Sequence, residues 1–405
     1  MDGEKIKLPV ITTSFLVLGN CLGVGVLALP VKYGLAGFVP ALIGICFVWF
    51  IMLMSAFVIA HKICEAKSDT FDIPWFFENS LGPSTKWLAI ICNLILLYGV
   101  LTAYLSGMST MVDQLCHPPV NKAMITLVYF ILTTGLILFG TRAYAKGNVL
   151  IIAAVWICFI LLVISGAKRF DPALLKTVDW KCFPIGLPIA VSAFHFHNII
   201  PTVARSLKHN PKATRKAIFL GIFLGLIINM IWVTIVLGSL ERTGTAPDTI
   251  EESYWHQLPA NVPMEELLHS KVFFGSSFVF AVLAVTASYM ANGTGLRGFI
   301  RNLTNTYLKT DNSFLIGVLA FLPPLVITLI YPNIFLGALD IVGGVGESVL
   351  FVALPGLILT KIARKRYPVL RILGYVMFII GCLITVYVIA DKIGLIDLVP
   401  PMPKL

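Results

Sequence analysis

Two histidines, His195 and His197, stand two residues apart and are followed by Asn198 inside a long apolar run. An unperturbed imidazole titrates close to neutrality, so either ring is suited to hold a proton or pass one on. Asp340 and Glu347 lie seven residues apart in another apolar run, with Gly343, Gly344 and Gly346 between them. Seven residues close nearly two helical turns, so both carboxylates are expected on one face. At about 1.5 Å per residue, Asp340 lies about 9 Å and Glu347 about 20 Å from the start of that run near Ile334. Ionisable groups in such surroundings mark functional sites. A third constellation has no ionisable side chain: Gly19-Asn20-Cys21-Leu22-Gly23-Val24-Gly25, running on to Pro30. Glycine costs about 1 kcal/mol in a helix interior, so this cluster weakens the helix it sits in. The chemistry on offer is that of the backbone, whose freed N–H and C=O groups must find other partners.

Composition decides which elements hold these groups. Of 405 residues, 58% are apolar and 12% charged, about half the charged share of a soluble domain, which is about 25%. The mean hydropathy is +0.91. A soluble fold of this composition would expose far more apolar area than water tolerates. That excludes a cytosolic enzyme, a nucleic-acid-binding domain and a disordered chain. The net charge of +10 does not argue for nucleic acid, because the basic residues sit in short loops between apolar runs. Eleven runs recur, at about 8–33, 36–62, 85–115, 121–140, 147–166, 183–205, 214–240, 271–303, 313–331, 334–361 and 369–390. Most reach the roughly 20 residues that span a bilayer as a helix, and lipid leaves the backbone no other partner than its own segment. The expected fold is an all-α integral membrane protein with eleven transmembrane helices. A transmembrane barrel would show alternating strands of about ten residues instead. The first run is read as a span and not as a cleaved leader, since it has no small-residue cleavage box.

Basic loops set the expected orientation. With the N-terminus in the cytoplasm, 20 of the 30 lysines and arginines fall inside. The loop 167–182, with Lys168, Arg169, Lys176 and Lys181, is the dissenting piece. The acidic stretch 241–270 then lies outside, as does the C-terminus.

The glycine cluster falls in run one and the histidines in run six, with Pro184 and Pro188 before them and Pro201 after. Interrupted helices at matching places in two halves of opposite topology point to an inverted-repeat transporter with its site at the bilayer midplane. A small zwitterion suits such breaks. Its carboxylate takes N–H groups and the positive end of a half-helix, and its ammonium takes carbonyls. On a regular helix His195 and His197 would point apart, so they are not expected to share a metal. The stretch Gly23-Val24-Gly25-Val26-Leu27-Ala28 has the outline of a dinucleotide fingerprint, but no strand precedes it. No zinc-protease, nucleophile-elbow or P-loop motif is present, and the eight cysteines lack paired spacing, so neither an enzyme, a cofactor nor a metal is expected.

At these residues the chain resembles the hydroxy and aromatic amino acid permeases of the amino acid–polyamine–organocation superfamily. Gly19, Leu22, Gly23, Gly25, Val26, Leu27, Leu29 and Pro30 match the family's first-span pattern. Phe196, His197, Ile200 and Pro201 match its sixth-span pattern. The resemblance, strongest to tyrosine-type members, implies a five-plus-five inverted-repeat core in the bacterial inner membrane. Repeat one would cover about 8–166, repeat two about 183–361, and an extra helix about 369–390. It implies proton-coupled import of an aromatic amino acid by rocking spans 1, 2, 6 and 7 against 3, 4, 8 and 9. The backbone at Asn20, Gly23, Val24 and Gly25 would hold the substrate head group, facing Phe194, His195, His197 and Asn198. Tyr98, Tyr104 and Ser106 of span 3 and Ser288, Tyr289 and Asn292 of span 8 would supply the other wall. Candidates for proton coupling or gating are His197, Asp340, Glu347 and Lys32, with Lys32 and Asp340 paired as an outer gate. Sodium-coupled relatives carry a polar residue where this chain has Val26, which favours protons, although a sodium site between span one and Ser288 stays open. The acid that some members carry near the inner end of span 8 is here Gly298, beside Arg297. Alternative readings are a symporter of this fold for tryptophan, serine, threonine or another neutral amino acid, and a channel.

Overall fold

Peptide groups inside hydrocarbon find no water, so apolar runs of this length wind into helices that satisfy their own backbone. The computed structural model obeys that rule. It describes residues 7–21, 23, 25–67, 72–139, 141–244, 248–363 and 367–399. Among them no strand forms; Gly37 and Val178 make a single bridge. The helices are α1 (Lys7–Cys21), α2 (Gly25–Gly34), α3 (Phe38–Ala66), α4 (Ile73–Leu81), α5 (Pro83–Cys116), α6 (Lys122–Phe139) and α7 (Thr141–Gly166). Then follow α8 (Leu187–Ala193), α9 (Ile200–Ser206), α10 (Pro211–Leu237), α11 (Ile250–Trp255), α12 (Asn261–Leu268) and α13 (Lys271–Leu303). The chain closes with α14 (Ser313–Ile330), α15 (Phe335–Ile341), a π-helical stretch over Val342–Ala353, α16 (Leu354–Ala363) and α17 (Pro368–Lys392).

Eight helical stretches among the described residues are long and apolar enough to cross a membrane. The pair formed by α1 and α2, which meet at 55°, makes a ninth. The fold is thus all-α with many apolar helices. The fifth run begins earlier than its hydropathy suggests: α7 starts at Thr141, not near residue 147, because helix winding continues through polar residues outside the apolar stretch.

α5, 34 residues long, is the central post. It lies against α4, α6, α13, α14, α15 and the π stretch. α10 packs against α1 and α3, and α17 against α16 and the π stretch. The α16–α17 contact is a close backbone approach: a Cβ on Gly356 would stand 2.6 Å from the Gly374 carbonyl oxygen, and one on Gly374 would stand 2.7 Å from that of Gly356. Small residues let helices approach where no hydrophobic force separates lipid from protein.

The dissenting basic loop is pinned rather than free. The Asp179 N–H donates to the Ala36 carbonyl (2.8 Å), and Arg242 Nη2 donates to Asp179 Oδ2 (2.8 Å). That guanidinium holds the Asp179 carboxyl below its ordinary range.

Candidate functional site

The first break lies between α1 and α2. Gly23 is described there, while Leu22 and Val24, the latter a predicted head-group contact, lie outside the described residues. The first N–H groups of a helix have no acceptor within it; that of Val26 reaches back to the Gly23 carbonyl at 3.3 Å. The second break follows Ala193. Phe194 leaves the helix at φ −105° and ψ 20°, a short 3₁₀ turn covers His197–Ile199, and α9 starts at Ile200. Pro188 and Pro201 each stand in the first turn of a helix. Proline is welcome there, and because it has no N–H the helical ladder cannot run through it.

The two breaks face each other. A Cβ on Gly25 would stand 3.1 Å from Ala193 Cα, so the opening of α2 lies against the close of α8 backbone to backbone. Beside them is a cavity of about 220 Å³, walled by Asn20, Gly23, Gly25, Tyr104, Ser192, His195, Ser288, Asn292 and Glu347, among others. A Cβ on Gly23 would meet Ser288 Oγ at 3.7 Å and the Tyr104 hydroxyl at 3.9 Å. Asn292 Nδ2 donates to the Tyr104 hydroxyl at 3.4 Å.

The structure separates the two histidines in placement and corrects their geometry. Because this segment is not a regular helix, His195 and His197 do not point apart. Both rings stack on Phe351, at 5.1 and 4.6 Å between centroids, and lie within 15° or so of parallel to each other. His195 reaches the cavity, and its Nδ1 lies 3.0 Å from Glu347 Oε1. His197 is fully buried behind it, and Phe194 is fully buried too. Neither lines the cavity. No cluster of His, Cys, Asp and Glu that could hold a metal occurs among the described residues.

The two acids of the tenth run do not act as a pair on one face. The stretch between them is π-helical, with i→i+5 bonding in place of the expected α-helix. Glu347 faces the cavity, whereas Asp340 Oδ2 takes Lys32 Nζ at 2.7 Å and Lys392 Nζ at 3.0 Å. Lys32 also sits 4.5 Å above the Tyr254 ring of α11. Residues 248–270 reach the same end: the Ala260 N–H donates to the Leu27 carbonyl (2.9 Å), and the Gly337 N–H to Gln257 Oε1 (2.8 Å).

Other predicted residues lie away from the cavity. Tyr98 donates to the Leu319 carbonyl (2.7 Å), Ser106 to the Pro332 carbonyl (2.8 Å), and Tyr289 pairs with Thr134 (2.9 Å). Asn198 is exposed in a second cavity of about 270 Å³ with Asp72, Asn93 and Asn302. That cavity shares Ala291 and Asn292 with the first, so the two adjoin along α13. Phe351, Lys392 and Gln257 were not singled out by sequence. Each belongs to an element far off in the chain, and only Lys392, a charge at the end of an apolar run, carried any signal.

Comparison with known proteins decides the family. The profile of the tryptophan/tyrosine permease family matches residues 7–391. The chain belongs to that family. This permease is therefore a transport protein and not an enzyme. It is 26% identical to the tyrosine-specific transport system 1 of Haemophilus influenzae, over 96% of this chain and 98% of that one. It is 23% identical to the tryptophan-specific transport protein of the same organism, over 88% of each. The low affinity tryptophan permease of Escherichia coli is 23% identical, over 87% of this chain and 86% of that one. Among solved structures, a mutant manganese transporter from Eremococcus coleocola has the same fold: TM-score 0.60 at 14% identity, covering 97% of this permease and 89% of that chain.

Proposed function

We propose that this permease imports an aromatic amino acid, tyrosine, by proton symport with alternating access across the bacterial inner membrane. The observation that carries the reading is the pair of interrupted helices meeting at Gly25 and Ala193 beside a polar-lined cavity. The amino acid carboxylate docks at the N-terminus of α2, where free N–H groups and the helix dipole favour an anion. The ammonium takes carbonyls released around Gly19–Gly23. The ring lies toward Tyr104, Ser288 and Asn292. The family supports an aromatic substrate, and the tyrosine-specific relative from Haemophilus influenzae, matched over nearly its whole length, supports tyrosine.

Eleven spans follow if α1–α2, α8–α9 and α15–α16 each count once and α6 and α7 each cross. Repeat one then covers about 8–166, repeat two about 183–361, and α17 is the added helix. The N-terminus is cytoplasmic and the C-terminus periplasmic. Lys32 and Asp340 close the outer gate, and the two adjoining cavities open inward. No cofactor takes part; the proton is the coupling ion.

Reconstituted protein is expected to accumulate labelled tyrosine under an inward proton gradient and to stop when an uncoupler is added. Uptake that ignores the uncoupler and follows sodium overturns the coupling. Competition by all twenty amino acids separates tyrosine from tryptophan, serine or threonine as cargo. Absence of counterflow exchange would favour a channel.

A further inference from the structure

We propose that the coupled proton is carried by the Glu347 carboxylate, with His195 as the residue that positions it. This rests on the symport reading above and names the group through which it works. Glu347 is the one carboxylate among the described residues that line the cavity beside the helix breaks, and its side chain is 1% exposed. Its Oε1 faces His195 Nδ1, and its Oε2 has no hydrogen-bond partner among the described residues. The wall that holds it is built for the purpose. The Gly343 and Gly344 carbonyls of the π stretch accept from Ser348 Oγ (2.6 Å) and Thr385 Oγ1 (2.8 Å), which steadies the irregular backbone on which the acid sits.

Charge balance separates the two buried acids. Asp340 has two lysines on one oxygen, so its negative charge is met by fixed cations. Among the described residues no lysine or arginine lines the Glu347 cavity. The titratable groups around Glu347 are Tyr104 on α5, His195 and His197 at the α8–α9 break, and Cys21 at the end of α1 across the cavity; Cys92 on α5 lies by Gly346. All are uncharged in their ordinary states except an imidazole that gains a proton. When Nδ1–H is donated to Oε1 by a neutral imidazole, the pair carries one uncompensated negative charge. Buried charge without a partner is costly, and one proton on Oε2 removes it.

The proton therefore enters from water while the cavity is open outward, sits on Oε2 while the loaded cavity closes, and leaves to water on the inner side. His195 keeps its own proton throughout. Substrate binding and protonation then favour one another by the same factor, as linkage requires. The carboxylate form also repels the substrate carboxylate docking nearby at α2.

The test compares wild type, E347Q, E347D and H195Q in proteoliposomes. E347Q imitates the protonated acid. It is expected to lose gradient-driven accumulation by about tenfold or more beyond any loss in tyrosine counterflow, within the usual range of coupling factors. Counterflow by H195Q is expected to shift in pH profile, which a merely structural role would not do. E347D keeps a titratable group and should retain accumulation. Independently of any variant, the wild type in weakly buffered detergent should take up a proton when tyrosine is added. Accumulation by E347Q at the wild-type level overturns the assignment. So does loss of counterflow and accumulation together in E347Q while E347D remains active, which would make Glu347 a substrate ligand. An unchanged pH profile in H195Q, or no proton uptake by the wild type, also counts against it. Wild type that shows no gradient-driven accumulation at all refutes the symport reading itself, before any variant is made.

Discussion

Gly25 is the residue on which the site turns. Its missing side chain lets the N-terminus of α2 lie on the α8 backbone at Ala193. A leucine there has nowhere to go except between the two breaks, since the nearest atoms are main chain. Gly25→Leu is expected to reduce tyrosine uptake to a tenth or less, a loss of about 1.4 kcal/mol or more in apparent binding, with membrane insertion unchanged by immunoblot. Uptake near the wild-type level would show that the breaks need not touch. The sequence made this residue visible, because glycines clustered before a proline are a poor way to build a helix. It also made the histidines visible, but not which of them faces the cavity. That depends on how the chain turns between Phe194 and Ile200, and a helical wheel drawn through a non-helical segment assigns the wrong faces.

The elements were legible wherever lipid dictates them. Apolar runs became helices with ends within a few residues of those read from charge and proline, and the largest shift was at α7. The π stretch was not legible. Its winding follows from contacts across the fold: a Cβ on Gly343 would collide with the Pro188 carbonyl, and a Cβ on Gly346 would stand 3.1 Å from that of Cys92. Glycines between two acids seven residues apart give no hint of i→i+5 bonding. The ion-pair end shows how magnitude ranks two lysines that share one acid. Lys32 is 3% exposed and Lys392 35%. Breaking a buried pair costs about 3–5 kcal/mol, whereas an exposed partner contributes about 0–1 kcal/mol. Lys32→Gln is therefore expected to lower the melting temperature in detergent well beyond Lys392→Gln. Equal effects would mean that α17 anchors Asp340 as firmly as α2 does.

Across the whole molecule the two ends differ. One holds the Lys32–Asp340 pair, with the Ala260 N–H bonded to the Leu27 carbonyl; the two cavities adjoin at Ala291 and Asn292, away from that pair. Hydropathy marks the apolar runs but carries nothing on how the two ends differ, since that is a property of packing and not of any one helix. With the native cysteines replaced, Ser288→Cys is expected to react with a membrane-impermeant thiol reagent applied from the cytoplasmic side, and to be protected by tyrosine. Reaction from the periplasmic side alone would reverse the orientation or the resting state.

In the proposed mechanism, backbone groups freed at two helix breaks grip both charges of a zwitterion. The direct measurement is competition binding of tyrosine against tyramine, which lacks the carboxylate, and against 3-(4-hydroxyphenyl)propionate, which lacks the ammonium. Hydrogen bonds to charged groups contribute about 1.5–3 kcal/mol, so each analogue should bind about tenfold to a hundredfold more weakly than tyrosine. An analogue missing either charge that competes as well as tyrosine would contradict the account.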